Sequence, residues 1–162
     1  MDERNAPFCL LPEAVLLRQG LRHRAVALLL RDSTGRTLLR AGPDGRWDFS
    51  SFALPLALEA AEDCCRRLLA TDWALPDAAP RVLARLGASP GTGMAFLTLF
   101  TTRISDATAR ALAAPSVGAP GGLPLLDAVE LAGLAAQEPP LLSPLLRRAV
   151  LAGWLGGAAA EA

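Results

Sequence analysis

Apolar positions along this chain follow two rhythms, one unbroken and one helical. Ala25 to Leu30 is apolar at every position, as a strand covered on both faces requires. Asp32-Ser33-Thr34-Gly35 is turn chemistry, so Arg36 to Arg40 is predicted to pair back on that strand as a hairpin. Ala41 to Gly45 reads as a loop and Trp47 to Phe52 as extended chain. From Leu58 the spacing changes. Leu58, Ala61, Cys65, Leu68, Leu69 and Asp72 recur at helical intervals, which predicts one inward stripe on a helix. Glu59, Glu62 and Asp63 fall in its first turn and Arg66 and Arg67 beyond them, the order the helix dipole favours. Glu62 with Arg66, and Asp63 with Arg67, are acid-first pairs four apart. Pro76 then forbids continuation.

The remaining elements follow from the same signals. A lead-in helix is expected from Leu11 to Gly20, with Pro12 near its start and Gly20 at its stop. Val82 to Leu86 reads as a strand, Gly87 to Gly93 as a hairpin loop, and Met94 to Ile104 as the longest strand. Ser105-Asp106 caps a short helix through Ala113. Ala114 to Gly122 is rich in Pro and Gly and is expected to be mobile. Leu123 to Leu126 is a last strand. Asp127 caps a helix through Gln137, and Ser143-Pro144 starts a final one through Trp154. No repeat or linker divides the pattern. It predicts one α/β domain over 1–157, with the lead-in helix in 1–21, built as an α/β/α sandwich; the Ala-rich tail, 158–162, is expected to fray.

Charge narrows the partners. Sixteen acids balance sixteen bases in 162 residues, so no long-range field recruits nucleic acid or an anionic membrane. Every base is Arg. A phosphate would therefore be gripped by planar guanidinium forks, backbone N–H groups or metal, never by a Lys. Cys9, Cys64 and Cys65 form no Cys-x-x-Cys pair; they read as buried small hydrophobes in a reducing compartment. The opening Met1-Asp2-Glu3-Arg4-Asn5 is no signal peptide and no apolar run reaches the ~20 residues of a membrane span, so the expectation is a soluble, cytoplasmic protein. His23 is the one histidine and no Gly-x-Ser-x-Gly elbow accompanies it. It either fixes the entry to the first strand or touches a substrate.

The stretch from Ala53 to Leu75 resembles the box of the Nudix (MutT-like) hydrolase family: Gly, five residues, Glu, seven residues, Arg-Glu, an aliphatic, any residue, Glu-Glu, any residue, Gly, an aliphatic. Glu59 and Arg67 fall on the Glu and the Arg, Leu69 and Leu75 on the aliphatics, and Asp72 on the last Glu. Ala53 and Ala74 stand at the two Gly positions, and Leu68 and Thr71 replace two catalytic glutamates. The flanks His23-Arg24-Ala25, Asp32 to Leu39 and Trp47-Asp48-Phe49-Ser50 resemble the branch related to isopentenyl-diphosphate isomerase.

That resemblance implies a Nudix-type α/β/α sandwich with a mixed central sheet. It implies an ion pair of Glu59 with Arg67, catalytic roles for Glu59, Arg67 and Asp72, and metal binding by Asp72 and Glu59. His23, Arg24, Arg40, Arg46 and Trp47 are the substrate-binding candidates it suggests; for Trp47 packing, and for the arginines a solvated surface, is the alternative. Mg²⁺ or Mn²⁺ is the cofactor if the protein is active, and there is none if it is not. The partners allowed are a small phosphorylated molecule and a second copy in a homodimer. Two functions remain: a weak or unusual diphosphate hydrolase of nucleoside diphosphate derivatives, and a non-catalytic ligand-binding or protein-interaction module. The loop from Val117 to Gly122 carries no acid to replace the missing glutamates.

Overall fold

The computed structural model describes residues 15, 18–114 and 122–156. Most of the expected lead-in helix, Cys9, nearly all of the Pro- and Gly-rich segment and the tail lie outside the described residues. The centre of the molecule is a parallel pair, β1 (His23–Arg31) and β7 (Ala95–Arg103), in register along all nine residues of each. Around it run β6 (Arg81–Leu86), antiparallel to β7, and β2 (Thr37–Leu38), antiparallel to β1. β8 (Leu125–Leu126) closes the order β6-β7-β1-β2-β8, and β5 (Ser51–Ala53) also pairs with β1. The sheet is mixed.

Alternation along β1 divides the core into two faces. Ala25, Ala27 and Leu29 pack against α3 (Ala128–Gln137) and α4 (Pro144–Leu151) through Leu131, Ala135, Leu146 and Ala149. Val26, Leu28 and Leu30 pack against α1 (Ala61–Trp73) and α2 (Asp106–Ala113) through Cys65, Leu68, Leu69 and Ala109. Every apolar side chain in the run from Ala25 to Leu30 is therefore buried, as its unbroken pattern predicts. Helices cover both faces of the sheet, an α/β/α arrangement.

The residue chemistry located most element ends. Ser105 caps α2 by accepting the Thr108 N–H, and Asp127 caps α3 by accepting those of Val129 and Glu130. Elsewhere the structure corrects the expectation. The second half of the Arg36–Arg40 segment leaves β1: β3 (Arg40–Ala41) pairs with β4 (Trp47–Asp48) in a separate two-stranded sheet. α4 ends at Leu151 rather than Trp154, because Gly153 takes a positive φ of 72° and a tight turn follows. In α1 the buried stripe is Cys64, Cys65, Leu68, Leu69 and Trp73. Leu58 precedes the helix and is 82% exposed, and Asp72 turns outward. The two acid-first pairs are not formed either. Arg66 takes Asp63 at 2.7 Å and Glu62 reaches across to Arg85 at 3.0 Å, because Arg67 is committed to Glu59.

Candidate functional site

The turn before α1 is built around one carboxylate. Glu59 lies ahead of the helix, whose N-cap is Ala60, and not in its first turn. Its Oε1 accepts from Arg67 Nε at 2.9 Å, and its Oε2 from Arg67 Nη2 at 2.9 Å and from the Leu56 N–H at 2.7 Å. This bidentate fork joins the loop to the helix two turns on, the contact that the resemblance to the Nudix box implies. The Glu59 side chain is only 13% exposed. Arg67 beside it and the Leu56 amide hold its carboxyl well down, at about 2, against the cost of burial.

Asp72 sits one helix end away in a second network. Its Oδ2 accepts from the Ser51 hydroxyl at 2.7 Å and from Arg40 Nη1 at 3.4 Å. Ser51 Oγ in turn accepts from the Trp73 indole at 2.8 Å, so β5 fixes where the carboxylate points. Thr71 Oγ1 lies 3.0 Å from Asp72 Oδ1 and 2.9 Å from the Arg67 carbonyl; its single proton serves one or the other. Leu68, between the two networks along the helix, is 4% exposed and packs under the sheet with Val26 and Leu28. Cys64 and Cys65 are free and buried. Burial pushes their thiols up to about 11 and about 12, which makes them inert core residues.

The helix ends where the box has its second glycine. Ala74 holds φ 55°, ψ 38°, the left-handed conformation, and the Leu75 N–H reaches back to the Leu69 carbonyl at 2.9 Å. The backbone there is one that glycine adopts freely, although the residue is Ala. Ala74→Gly is expected to stabilise the protein by about 0.5 kcal/mol, since relief of about 1 kcal/mol of left-handed strain outweighs the added unfolded-state freedom. A urea titration reads this directly, and a loss of stability on substitution would contradict it.

The remaining sequence candidates divide between the two faces. Arg24 and Arg40 lie on the side of α1: Arg24 lines a small cavity of about 340 Å³ with Pro55, Glu62 and Arg85, and Arg40 meets Asp72. His23, the preceding residue of the same strand, belongs to the opposite face. It is buried, its Nδ1 is 2.8 Å from the Leu21 carbonyl, and it lines a groove of about 870 Å³ with Asp48, Phe52, Ser143, Arg147 and Arg148. Trp47 is half-buried against the α3/α4 side, its carbonyl accepting the Ser143 N–H at 2.8 Å. Arg46 is exposed beside Asp44 at 3.5 Å. Glu59, Arg67, Asp72 and Arg40 thus share one face with Arg24, while His23 and Trp47 lie behind the sheet and Arg46 apart from both.

Several residues that organise these sites carried no role in the sequence reading. Ser50 Oγ accepts the Leu30 N–H at 2.9 Å and donates to the Leu38 carbonyl at 2.6 Å, stitching β1 to β2. Asp48 accepts from Ser143 Oγ at 2.7 Å, and burial raises its carboxyl above the usual range. The Trp47-Asp48-Phe49-Ser50 segment was the available signal for both. Ser51 gave none. Among the described residues, no group of three His, Cys, Asp or Glu side chains is placed to hold a metal ion.

No family model and no curated protein matches the chain. Solved structures do. The crystal structure of DR0079 from Deinococcus radiodurans is similar at a TM-score of 0.64 and 22% identity, covering 85% of this chain and 86% of that one. The solution structure of DR0079, described as a hypothetical Nudix protein, gives 0.47 and 23% over 77% and 75% of the two chains. Neither speaks for the branch related to isopentenyl-diphosphate isomerase. The likeness is one of fold: this chain carries the mixed-sheet α/β fold of the DR0079 crystal structure.

Proposed function

We propose that this chain is a Nudix-family protein in which diphosphate hydrolysis is weak or absent, and that it works as a ligand-binding module for a small phosphorylated molecule. The observation that carries this is the engagement of both Glu59 oxygens by Arg67 and the Leu56 amide, with Leu68 in the core. Metal-dependent cleavage of a diphosphate needs several hard oxygen ligands in near-octahedral order to gather phosphate charge. Glu59 would have to abandon Arg67 to become one. Asp72 offers a single carboxylate, already held by Ser51 and Arg40. This donor set does not fit a resident Mg²⁺ or Mn²⁺.

Binding is better supplied. The groove of about 870 Å³ has the size of a small-molecule site. Its rim holds Arg148, whose guanidinium lies so close over Gly91 that an added Cβ would come within 2.1 Å of Cζ. Gly91 thus lets a planar cationic fork lie where an anion can meet it. A protein-interaction role is the second reading, favoured by the box loop, where Leu56 is 61% exposed beside Leu58. Two free cysteines in the core suit a reducing, cytoplasmic setting. Among the described residues no helix is long and apolar enough to cross a membrane.

The test is turnover. With millimolar Mg²⁺ or Mn²⁺, little or no turnover of ADP-ribose, dinucleotide polyphosphates or nucleoside triphosphates is expected. Turnover of about 1 per second or faster, abolished by Asp72→Ala, would overturn the non-catalytic reading.

A further inference from the structure

At the far end of β1 from His23 a half-buried cation has no counter-charge among the described residues. Arg31 Nη2 donates to the Leu155 carbonyl at 2.6 Å, while its Nε is buried with no hydrogen-bond partner. No acid pairs with it among the described residues: Asp32 is taken by Arg36 at 2.7 Å, and Asp127 Oδ1 caps α3. Burial without such a partner lowers its pKa. The buried Nε is thus a donor without the acceptor that such groups normally find.

Arg31 lines a cavity of about 600 Å³ whose other walls are largely aliphatic, among them Leu131, Ala132, Val150 and Leu155. Val129, also on its lining, is an apolar side chain 80% exposed to solvent. Among the described residues of the lining, Arg31 is the one cation and Asp127 the one anion. Asp127 repels any anion there, a phosphate dianion about twice as strongly as a monoanion, and one guanidinium balances only a single charge. A planar monoanion with an apolar body needs one fork and an aliphatic wall.

We infer that the cavity between Arg31 and α3 is a binding site for a small aliphatic carboxylate, with the carboxylate on Arg31 and the hydrocarbon against Leu131, Val150 and Val129. The site lies apart from the box loop and from the groove beside His23, sharing no lining residue with either cavity there. It does not depend on whether the protein hydrolyses or binds phosphates.

Calorimetric titration of the full chain with straight-chain carboxylates from butyrate to octanoate, against the matching alcohols and alkyl phosphates, tests it. Affinity should rise about fourfold per methylene until the cavity is filled. Each alcohol and each alkyl phosphate should bind at least tenfold more weakly than its carboxylate. Arg31→Gln should erase the preference for carboxylate over alcohol while keeping the dependence on chain length, and Val129→Asp should weaken the longer carboxylates most. Should Arg31→Gln fail to fold, Arg31→Lys keeps the charge and the comparison with the alcohol. Absence of binding, equal binding of alcohol and carboxylate, preference for the phosphate, or a preference that survives Arg31→Gln would each overturn the assignment.

Discussion

Leu68→Glu is expected to unfold the protein, with or without metal. Leu68 is buried among Val26, Leu28, Cys65 and Leu69 beneath the sheet. Removing the leucine alone costs about 2–5 kcal/mol, and a carboxylate left there without a partner adds several more or protonates to avoid it. The sum is on the order of the whole stability of a domain of this size. Thr71→Glu, at an exposed position on the same helix, should change stability by less than about 0.5 kcal/mol. Far-ultraviolet circular dichroism of both variants, and of the double variant with millimolar Mn²⁺, separates the two views of this face. If the helix were a metal site missing only its ligands, the double variant would fold and metal would stabilise it. Unfolding under both conditions is the outcome expected here.

Breaking the Glu59–Arg67 fork is the second large effect, and its size depends on pH. Arg67→Ala should cost about 2 kcal/mol near neutral pH. It leaves a mostly covered carboxylate to the Leu56 amide alone, and the partial exposure of Arg67 reduces the loss below that of a fully buried pair. The Glu59 carboxyl is held near 2 in the folded protein against an ordinary 4.5. Its ionised form therefore contributes stability that is fully present above about pH 5. That stability is lost as pH falls through the folded value near 2. The difference between wild type and Glu59→Gln in urea titrations should shrink across that window. A constant difference from pH 7 to pH 2 would contradict the assignment. Reversing the pair, Glu59→Arg with Arg67→Glu, should recover part of what either reversal loses.

Much of this was legible along the chain because local rules governed it. The apolar run of β1 and the Ser105 and Asp127 caps each depend on residues close in sequence, and the Glu59–Arg67 pair followed from the resemblance to the box. What the chain hid was set by neighbours far along it. Asp72 shares the period of the inward stripe, yet Ser51 and Arg40, 21 and 32 residues away, hold it at the edge. Arg66 lost Glu62 to Arg85, a partner 23 residues beyond Glu62. His23 and Arg24 are adjacent in sequence and were read together, but a strand sends them to opposite faces. The alternation was there to see; which face carried the box was not.

The claim that most needs testing is that the box helix is kept as scaffold and has no metal chemistry. Titration calorimetry of Mn²⁺ into the wild-type chain, repeated with Asp72→Ala, addresses it most directly. Binding weaker than about 1 mM and unchanged by Asp72→Ala is predicted, since Glu59 is held by Arg67 and one carboxylate cannot order a divalent ion. A micromolar site that disappears in Asp72→Ala would contradict the account.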